Sequence, residues 1–392
     1  MTTWFSRVPL AAPIAVLLSL VIASTATAVT WNAKVTLNSS GTAFAHGLVT
    51  LSSTNAVALF DAGPHLYTRR TLDSGSTWSS KVRLTDLNVG LGLWADISGR
   101  DNMVDVAFDE TNSTTGVTRL RYRKSNNSGS SFAAAITLRS VSGDDSMSPG
   151  VGRGPGGVVA VAWHELISNT IRVRVSTDNG LSFGSETTLA TVTGSWMHPP
   201  AVAVGDGVIY VAYHVNATDI RLRRSLNNGA SWLSAVTMGN NGTESPSIDT
   251  MTATAVGERA FIGFTVHEGT QSWTRYKRTN NSGGTWSAQL DISPPSANPG
   301  LSPELTLQGS NLYAVYEQCV MANCNGTKVM YRTKTLSGAW SAPVQASHSG
   351  PAWASPAGVG RATKILVLYA ADNGDTSPYE PNSDVYVRPG TP

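Results

Sequence analysis

The chain is poor in the residue types that most often announce a chemistry. Of its 392 residues only two are cysteine and seven are histidine, and charged residues make up 14%. Its 28 basic and 26 acidic side chains nearly cancel, so no excess of positive charge is available for a phosphate backbone, and no nucleic-acid partner is expected. The two cysteines, Cys319 and Cys324, lie five apart in one loop. A pair this close has too few ligands for a metal centre and predicts a local disulfide in an exported protein. No metal or cofactor is expected. Long apolar runs are also lacking, with one exception. Residues 1–28 carry Arg7, an apolar stretch from Val8 to Ala23, and Ala26-Thr27-Ala28. This reads as a secretory leader with a small-residue cleavage site, its core short for a membrane span. The mature chain is expected to be residues 29–392, one domain, secreted or at the cell surface, with no further span.

What the chain has in abundance is a repeat. Six copies of Ser/Thr-x-Asp/Asn-x-Gly-x-Ser/Thr-Trp/Phe begin at Thr71, Ser125, Ser176, Ser225, Thr279 and Thr333, the last in decayed form, at steps of 54, 51, 49, 54 and 54 residues. In each box an Asp or Asn (Asp73, Asn127, Asp178, Asn227, Asn281) is placed to accept bonds from backbone N–H groups of a turn, while the Gly supplies a conformation that other residues avoid. The aromatic that follows brings a large apolar side chain to the start of the next strand. These residues are read as structural. The fourth unit shows the plan: Ala201 to Val204, a Gly-Asp-Gly turn, the apolar run Val208 to Tyr213, Ile220 to Arg224, the box, and Trp232 to Met238. Four short strands in about fifty residues make one propeller blade. Arginines recur at equivalent places in the third strands, among them Arg121, Arg172, Arg174, Arg221 and Arg223, and repetition at one blade position marks them as structural.

Six boxes suggest a six-bladed ring, but the two ends of the chain argue for seven. After the sixth box come three strand-like segments, Ser355 to Val359, Lys364 to Tyr369 and Asp384 to Arg388, with no fourth. Near the other end, Trp31 to Leu37 matches Trp78 to Leu84 almost position for position, an orphan fourth strand. The reading is an all-β, seven-bladed propeller of four-stranded antiparallel blades, in which Trp31 to Leu37 completes the C-terminal blade and removes an open sheet edge. Setting aside 28 residues leaves 364, or 52 for each of seven blades.

With the boxes on one face, the other face is built from the ends of the second strands and the starts of the first. The second strands end in Asp109-Glu110, Trp163-His164-Glu165, Tyr213-His214, His267-Glu268 and Tyr316-Glu317. First-strand starts add Trp94-Ala-Asp96, Trp196-Met-His198, Ser302-Pro-Glu304 and Trp353-Ala-Ser355. Aromatic faces stack on pyranose rings and carboxylates accept hydroxyl protons, so a glycan-binding funnel is expected, lined by Trp94, Asp109, Glu110, Trp163, His164, Trp196, His198, His214, His267, Glu317 and Trp353. Candidate catalysts are Glu165, Glu268 and Glu317 for glycoside hydrolysis, or His164, His214 and Tyr213 for the proton abstraction of a polysaccharide lyase.

In its boxes the chain resembles the sialidase-like propellers, whose repeat is called the Asp box, over nearly all of the mature sequence. The resemblance implies the fold and is far less specific for activity, since similar boxes occur in glycosidases and in non-catalytic propellers. Sialidases of that family have six blades, an arginine trio for the substrate carboxylate, an Asp acid/base and a Tyr nucleophile assisted by a Glu. Their first arginine falls in an aromatic-Arg-Ile-Pro motif, where this chain has Phe44-Ala45-His46-Gly47, and only Asp61 stands near the place of the acid/base. Arg139 is present on that face without a trio. Without clustered guanidinium groups the family's carboxylate clamp is missing. The function read from the sequence is therefore a secreted carbohydrate-binding propeller. The alternatives are a glycosidase or lyase, and a cell-surface scaffold for protein contacts.

Overall fold

The computed structural model describes residues 29–39, 43–86, 90–112, 114–142, 147–193, 199–216, 219–240, 251–268, 271–294, 298–321, 324, 326–349, 354–372 and 383–391; the side chains of 90–93, 240, 268 and 271 fall outside it. The expected leader, residues 1–28, also lies outside the described residues. Seven antiparallel sheets follow one another along the chain. Blade 1 is Ala45–Thr50, Ala56–Ala62, His65–Thr71 and Val82–Arg83; blade 2 is Gly90–Arg100, Met103–Asn112, Val117–Ser125 and Ile136–Ser142. Blade 3 is Met147–Arg153, Val159–Glu165, Thr170–Ser176 and Thr187–Thr191; blade 4 is Ala201–Val204, Ile209–His214, Asp219–Ser225 and Val236–Asn240. Blade 5 is Thr252–Val256, Arg259–Glu268, Gln271–Thr279 and Leu290–Asp291; blade 6 is Gly300–Gln308, Asn311–Cys319, Thr327–Thr335 and Val344–Gln345.

Blade 7 takes its first three strands from Ala354–Arg361, Ile365–Asp372 and Ser383–Thr391, and its outer place from two N-terminal segments, Thr30–Trp31 and Val35–Asn38. Trp31 pairs with Gly390 and Val35 with Val387. The ring is therefore seven-bladed and closed by the N-terminal strand, as the matching of Trp31 with Trp78 predicted. No helix among the described residues is long and apolar enough to cross a membrane.

The core lies between blades rather than within them. Each of seven buried clusters draws on two neighbouring blades, and each receives one aromatic from the start of a fourth strand: Trp78, Phe132, Phe183, Trp232, Trp286, Trp340 and, in the seventh, Trp31. The box turns hold these wedges in place. In the first, Thr71 Oγ1 donates to Asp73 Oδ1 (2.8 Å) and accepts from Gly75 N (2.9 Å), while Asp73 accepts from Thr77 N (2.8 Å) and Thr77 Oγ1 (2.6 Å). The next four boxes repeat the backbone bond to Asn127, Asp178, Asn227 and Asn281; Asp178 also accepts from the Ser182 hydroxyl, whereas each Asn donates its Nδ2 to the corresponding hydroxyl. The box glycine is required twice over. It has a positive φ, 74° at Gly180, and a Cβ there would stand 2.0 Å from the Tyr122 hydroxyl of the preceding blade. Third-strand arginines add a second tie: Arg69, Arg174 and Arg223 donate Nη1 to outer-strand carbonyls of the blade before, Leu37, Leu138 and Leu189, and Arg332 to Ile292, the residue just past the outer strand of blade 5.

Candidate functional site

The upper face, opposite the boxes, is shaped by what each second strand does at its end. The residues Phe60, Phe108, Trp163, Tyr213, Phe264, Tyr316 and Tyr369 occupy one equivalent ladder position in the seven blades, and all are at most 2% exposed. They form part of the inter-blade core. Trp163 packs with Ala107, Leu120 and Tyr122 of blade 2, and Tyr213 with Ala160, Val173 and Leu189 of blade 3. These two side chains thus face a neighbouring blade and not the funnel, because the pleat turns them sideways into a hydrophobic gap.

The next residue along is polar in most blades, and its work is largely to pin the start of a first strand. Asp61 Oδ1 accepts from Phe44 N at 2.5 Å; Asp109 accepts from Trp94 N (3.2 Å) and, across the blade boundary, from Met147 N (3.4 Å). Thr265 Oγ1 accepts from Ser302 N of blade 6 (3.2 Å), and Glu317 Oε2 from Ser355 Oγ of blade 7 (3.5 Å). His164 and His214 hold the same position in blades 3 and 4 and are buried. His267 does not. It lies two residues beyond Thr265, with Nδ1 2.7 Å from Ser272 Oγ.

The two acids one step further are ion-paired. Glu165 receives Arg139 Nη2 at 2.8 Å, Arg172 Nε at 2.7 Å and the Ser168 hydroxyl at 2.8 Å. Burial pushes its carboxyl up, but the Ser168 bond and the two arginines outweigh that and hold it below the usual range. Glu110 stands 3.2 Å from Arg121 Nε; burial dominates there, and its carboxyl is raised. Trp94 is half-buried and lines the axial cavity. Trp196, His198 and Trp353 lie outside the described residues, as does the side chain of Glu268, which ends a strand of blade 5. Cys319 and Cys324 form the expected disulfide, in the turn after the second strand of blade 6.

The first strands line an axial cavity of about 480 Å³, and here the structure gathers Asp96 and Glu304, which the sequence placed at first-strand starts without counting them among the expected ligands. At one rung of the seven first strands stand Gly47, Asp96, Gly150, Ala201, Thr252, Glu304 and Gly358. The small residues are needed where neighbouring strands crowd: a Cβ on Gly150 would lie 2.0 Å from Pro200 O. Asp96 and Glu304 are walled in by protein yet keep part of their surface open to the bore. Asp96 accepts from Ile97 N (2.8 Å) and Val151 N (2.7 Å); Thr252 Oγ1 accepts from Leu305 N (3.2 Å) and bonds the Glu304 carboxyl. Burial raises Asp96 to about 6 against the opposing pull of its two backbone bonds and His46. Burial, then the charge of Asp96, raises Glu304 to about 8, with Thr252 opposing. Near neutral pH the wall on blade 2 carries a carboxylate and the wall on blade 6 a carboxylic acid. His46, in the same cavity, brings Nε2 to 3.5 Å from Asp61 Oδ2. The signal that marks the pair is an isolated acid in a first strand whose counterparts are Gly, Ala or Thr.

No family model and no curated protein matches the chain. Among solved structures it is similar to an ulvan lyase described as a new family of polysaccharide lyase, with a TM-score of 0.60 and 9% identity over 91% of this chain and 96% of that one. It is also similar to an α-L-arabinofuranosidase from Fusarium graminearum bound to an iminosugar inhibitor (TM-score 0.52, 10% identity, 92% and 98% covered). A third similar structure is the Trypanosoma rangeli sialidase in complex with the inhibitor DANA (TM-score 0.51, 13% identity); the match spans 78% of this chain and 58% of that one. At such identities the likeness is one of fold. In fold, the chain is a seven-bladed β-propeller of four-stranded antiparallel blades, and its likeness to these three structures is one of fold.

Proposed function

We propose that this protein is a secreted carbohydrate-binding propeller whose ligand docks on the upper face, over the mouth of the axial bore. The observation that carries the reading is the axial cavity, of a size typical of preformed ligand sites, with Asp96, Thr252, Glu304 and His46 set into a wall of small residues. Binding stands before catalysis because the acids of the upper face are already engaged: Glu165 and Glu110 with arginines, Asp109 with two backbone N–H groups. The lyase alternative draws on His164, His214 and Tyr213, all buried, and burial holds the Tyr213 hydroxyl above its usual range. Export is supported by the disulfide and by the leader-like residues 1–28. Three structures of similar fold are named for enzymes of saccharides, which supports the ligand class. A broad glycan array tests the reading: retention of a defined set of glycans is expected, and a blank array would sink it.

A second reading, glycoside hydrolysis, is favoured by one observation. Asp96 and Glu304 divide at neutral pH into one ionised and one protonated carboxyl, the division a glycosidase uses for base and acid. Release of reducing sugar from a glycan panel, lost in both Asp96→Asn and Glu304→Gln, would establish it; no turnover on any substrate would leave binding alone.

A further inference from the structure

Asp96 and Glu304 reach the bore from blades 2 and 6, with blades 3, 4 and 5 between them on one side and blades 1 and 7 on the other. Four of the five remaining positions at that rung are Gly or Ala, so the two acids and Thr252 are the polar side chains at that level of the cavity wall. Among the described residues, arginines line the bore only at its box-side end, where Arg100 lies 3.9 Å from Asp101 and Arg153 is bound to Asp105. His46, beside Asp61, is the remaining titratable side chain near the pair. It is 7% exposed, and its Nε2 has no hydrogen-bond partner among the described residues.

We propose that the axial bore binds the primary ammonium group of an amino sugar between the walls that carry Glu304 and Asp96, and that it rejects uronic and sialic acids. The proposal rests on the carbohydrate reading above. An ammonium group has three donors, and the Glu304 and Asp96 carboxyl groups and the Thr252 hydroxyl oxygen are acceptors in the wall of that cavity. Charge-assisted bonds of this kind are about twice as strong as neutral ones. A sugar carboxylate would instead meet two carboxyl groups, with no guanidinium at their level among the described residues. A bare metal ion is a poorer fit, since among the described residues no three His, Cys, Asp or Glu side chains converge as ligands. The step balances simply. Glu304 enters it as the acid and the sugar as the ammonium ion; the product is a carboxylate–ammonium pair, and the Glu304 proton leaves to solvent. No covalent bond to carbon forms or breaks.

The test is calorimetry on the full chain with glucosamine oligomers, their N-acetylated counterparts and oligouronates, each in two buffers of different ionisation enthalpy. The expected result is binding of the free-amine oligomer about tenfold or more tighter than the acetylated one, release of about one proton per ligand near neutral pH, and no binding of the uronate. Glu304→Gln, which has the shape of the protonated acid, should keep the wild-type circular dichroism and lose both the preference and the proton release; Asp96→Asn should weaken the same preference. Equal affinity for free and acetylated oligomers, or a preference that survives both substitutions, overturns the ammonium site and leaves the carbohydrate reading standing. If no oligosaccharide binds, 2-aminoethanol becomes the probe. Saturable binding that depends on Glu304 and releases a proton upholds the site and removes only the carbohydrate reading, whereas its absence overturns both.

Discussion

Asp96 and Glu304 stand on equivalent rungs of two first strands, each paired with the residue just before a buried second-strand aromatic, Phe108 in one blade and Tyr316 in the other. Their placement has a consequence for stability. Glu304 is raised to about 8 from 4.5, chiefly by burial, so the folded state keeps a proton that the unfolded chain gives up across that interval. This contribution is fully present below about pH 4.5 and declines as pH rises to about 8; Asp96 acts in the same direction over the shorter span from 3.8 to about 6. Glu304→Gln should therefore flatten the fall in Tm with rising pH. Parallel wild-type and variant profiles in thermal scans across this range would contradict it.

A histidine at the ring closure works in the opposite sense. Lys34 Nζ donates to His348 Nε2 at 2.8 Å, which leaves the proton on Nδ1, 2.9 Å from the Tyr369 hydroxyl. Burial first, then Lys34 and Arg388, lower His348 to about 4 from 6.5. Between these values the unfolded chain takes up a proton that the folded ring refuses, so stability falls as pH drops through the window. His348→Gln should remove that part of the acid sensitivity. Urea unfolding at pH values on either side of the window measures it, and an unchanged pH slope would count against the assignment.

Two glycines with similar φ should answer differently to the same substitution. Gly180 combines φ 74° with a Tyr122 hydroxyl 2.0 Å from its missing Cβ, while Gly63 has φ 59° and nothing within 4 Å. Gly63→Ala is expected to cost about 1 kcal/mol, the backbone component alone, and Gly180→Ala about 3 kcal/mol or more, because the preceding blade has to move as well. Equilibrium unfolding of the two variants side by side reads the difference.

Trp31 is the wedge of the closing strand, 5.6 Å and edge-on from Tyr331 and packed into the cluster shared by blades 6 and 7. Trp31→Ala should cost about 2–4 kcal/mol, somewhat less than a fully buried indole, and should expose blade 7 to proteolysis before the other blades. Limited digestion with mass spectrometry of the first fragments tests the order.

The fold was legible because its determinants are local and repeated. A box turn can be read from eight residues, and the likeness of Trp31 to Trp78 carried the seventh blade. The site was harder to read because it depends on strand phase. His267 looks like a counterpart of His214, but the second strand of blade 5 runs three residues further before it turns, and Thr265 takes the pinning position. Register shifts just before Asp96 and Glu304, between Leu91 and Ala95 and between Leu301 and Glu304, reset the alternation of their strands. Without the partner strand no periodicity tells which face such a residue occupies. The same limit applies to Trp163 and Tyr213, aromatics at a strand end that the pleat turns into the core.

The sheet that shuts the ring joins the most distant parts of the chain: Arg388 donates to the carbonyl of Asn32, 356 residues away in sequence. Every other blade is assembled from a contiguous stretch and gains its contacts soon after it is made. During synthesis, six blades can pair internally while the N-terminal segments wait for a partner strand that emerges after all six. Until it does, the flank of blade 1 that meets blade 7 stays bare, with Ala56, Ala58 and Phe60 among its apolar residues. The final step of folding is a long-range capture, slow by the measure of sequence separation, and for that interval the unfinished circle is most open to sticking to another of its kind.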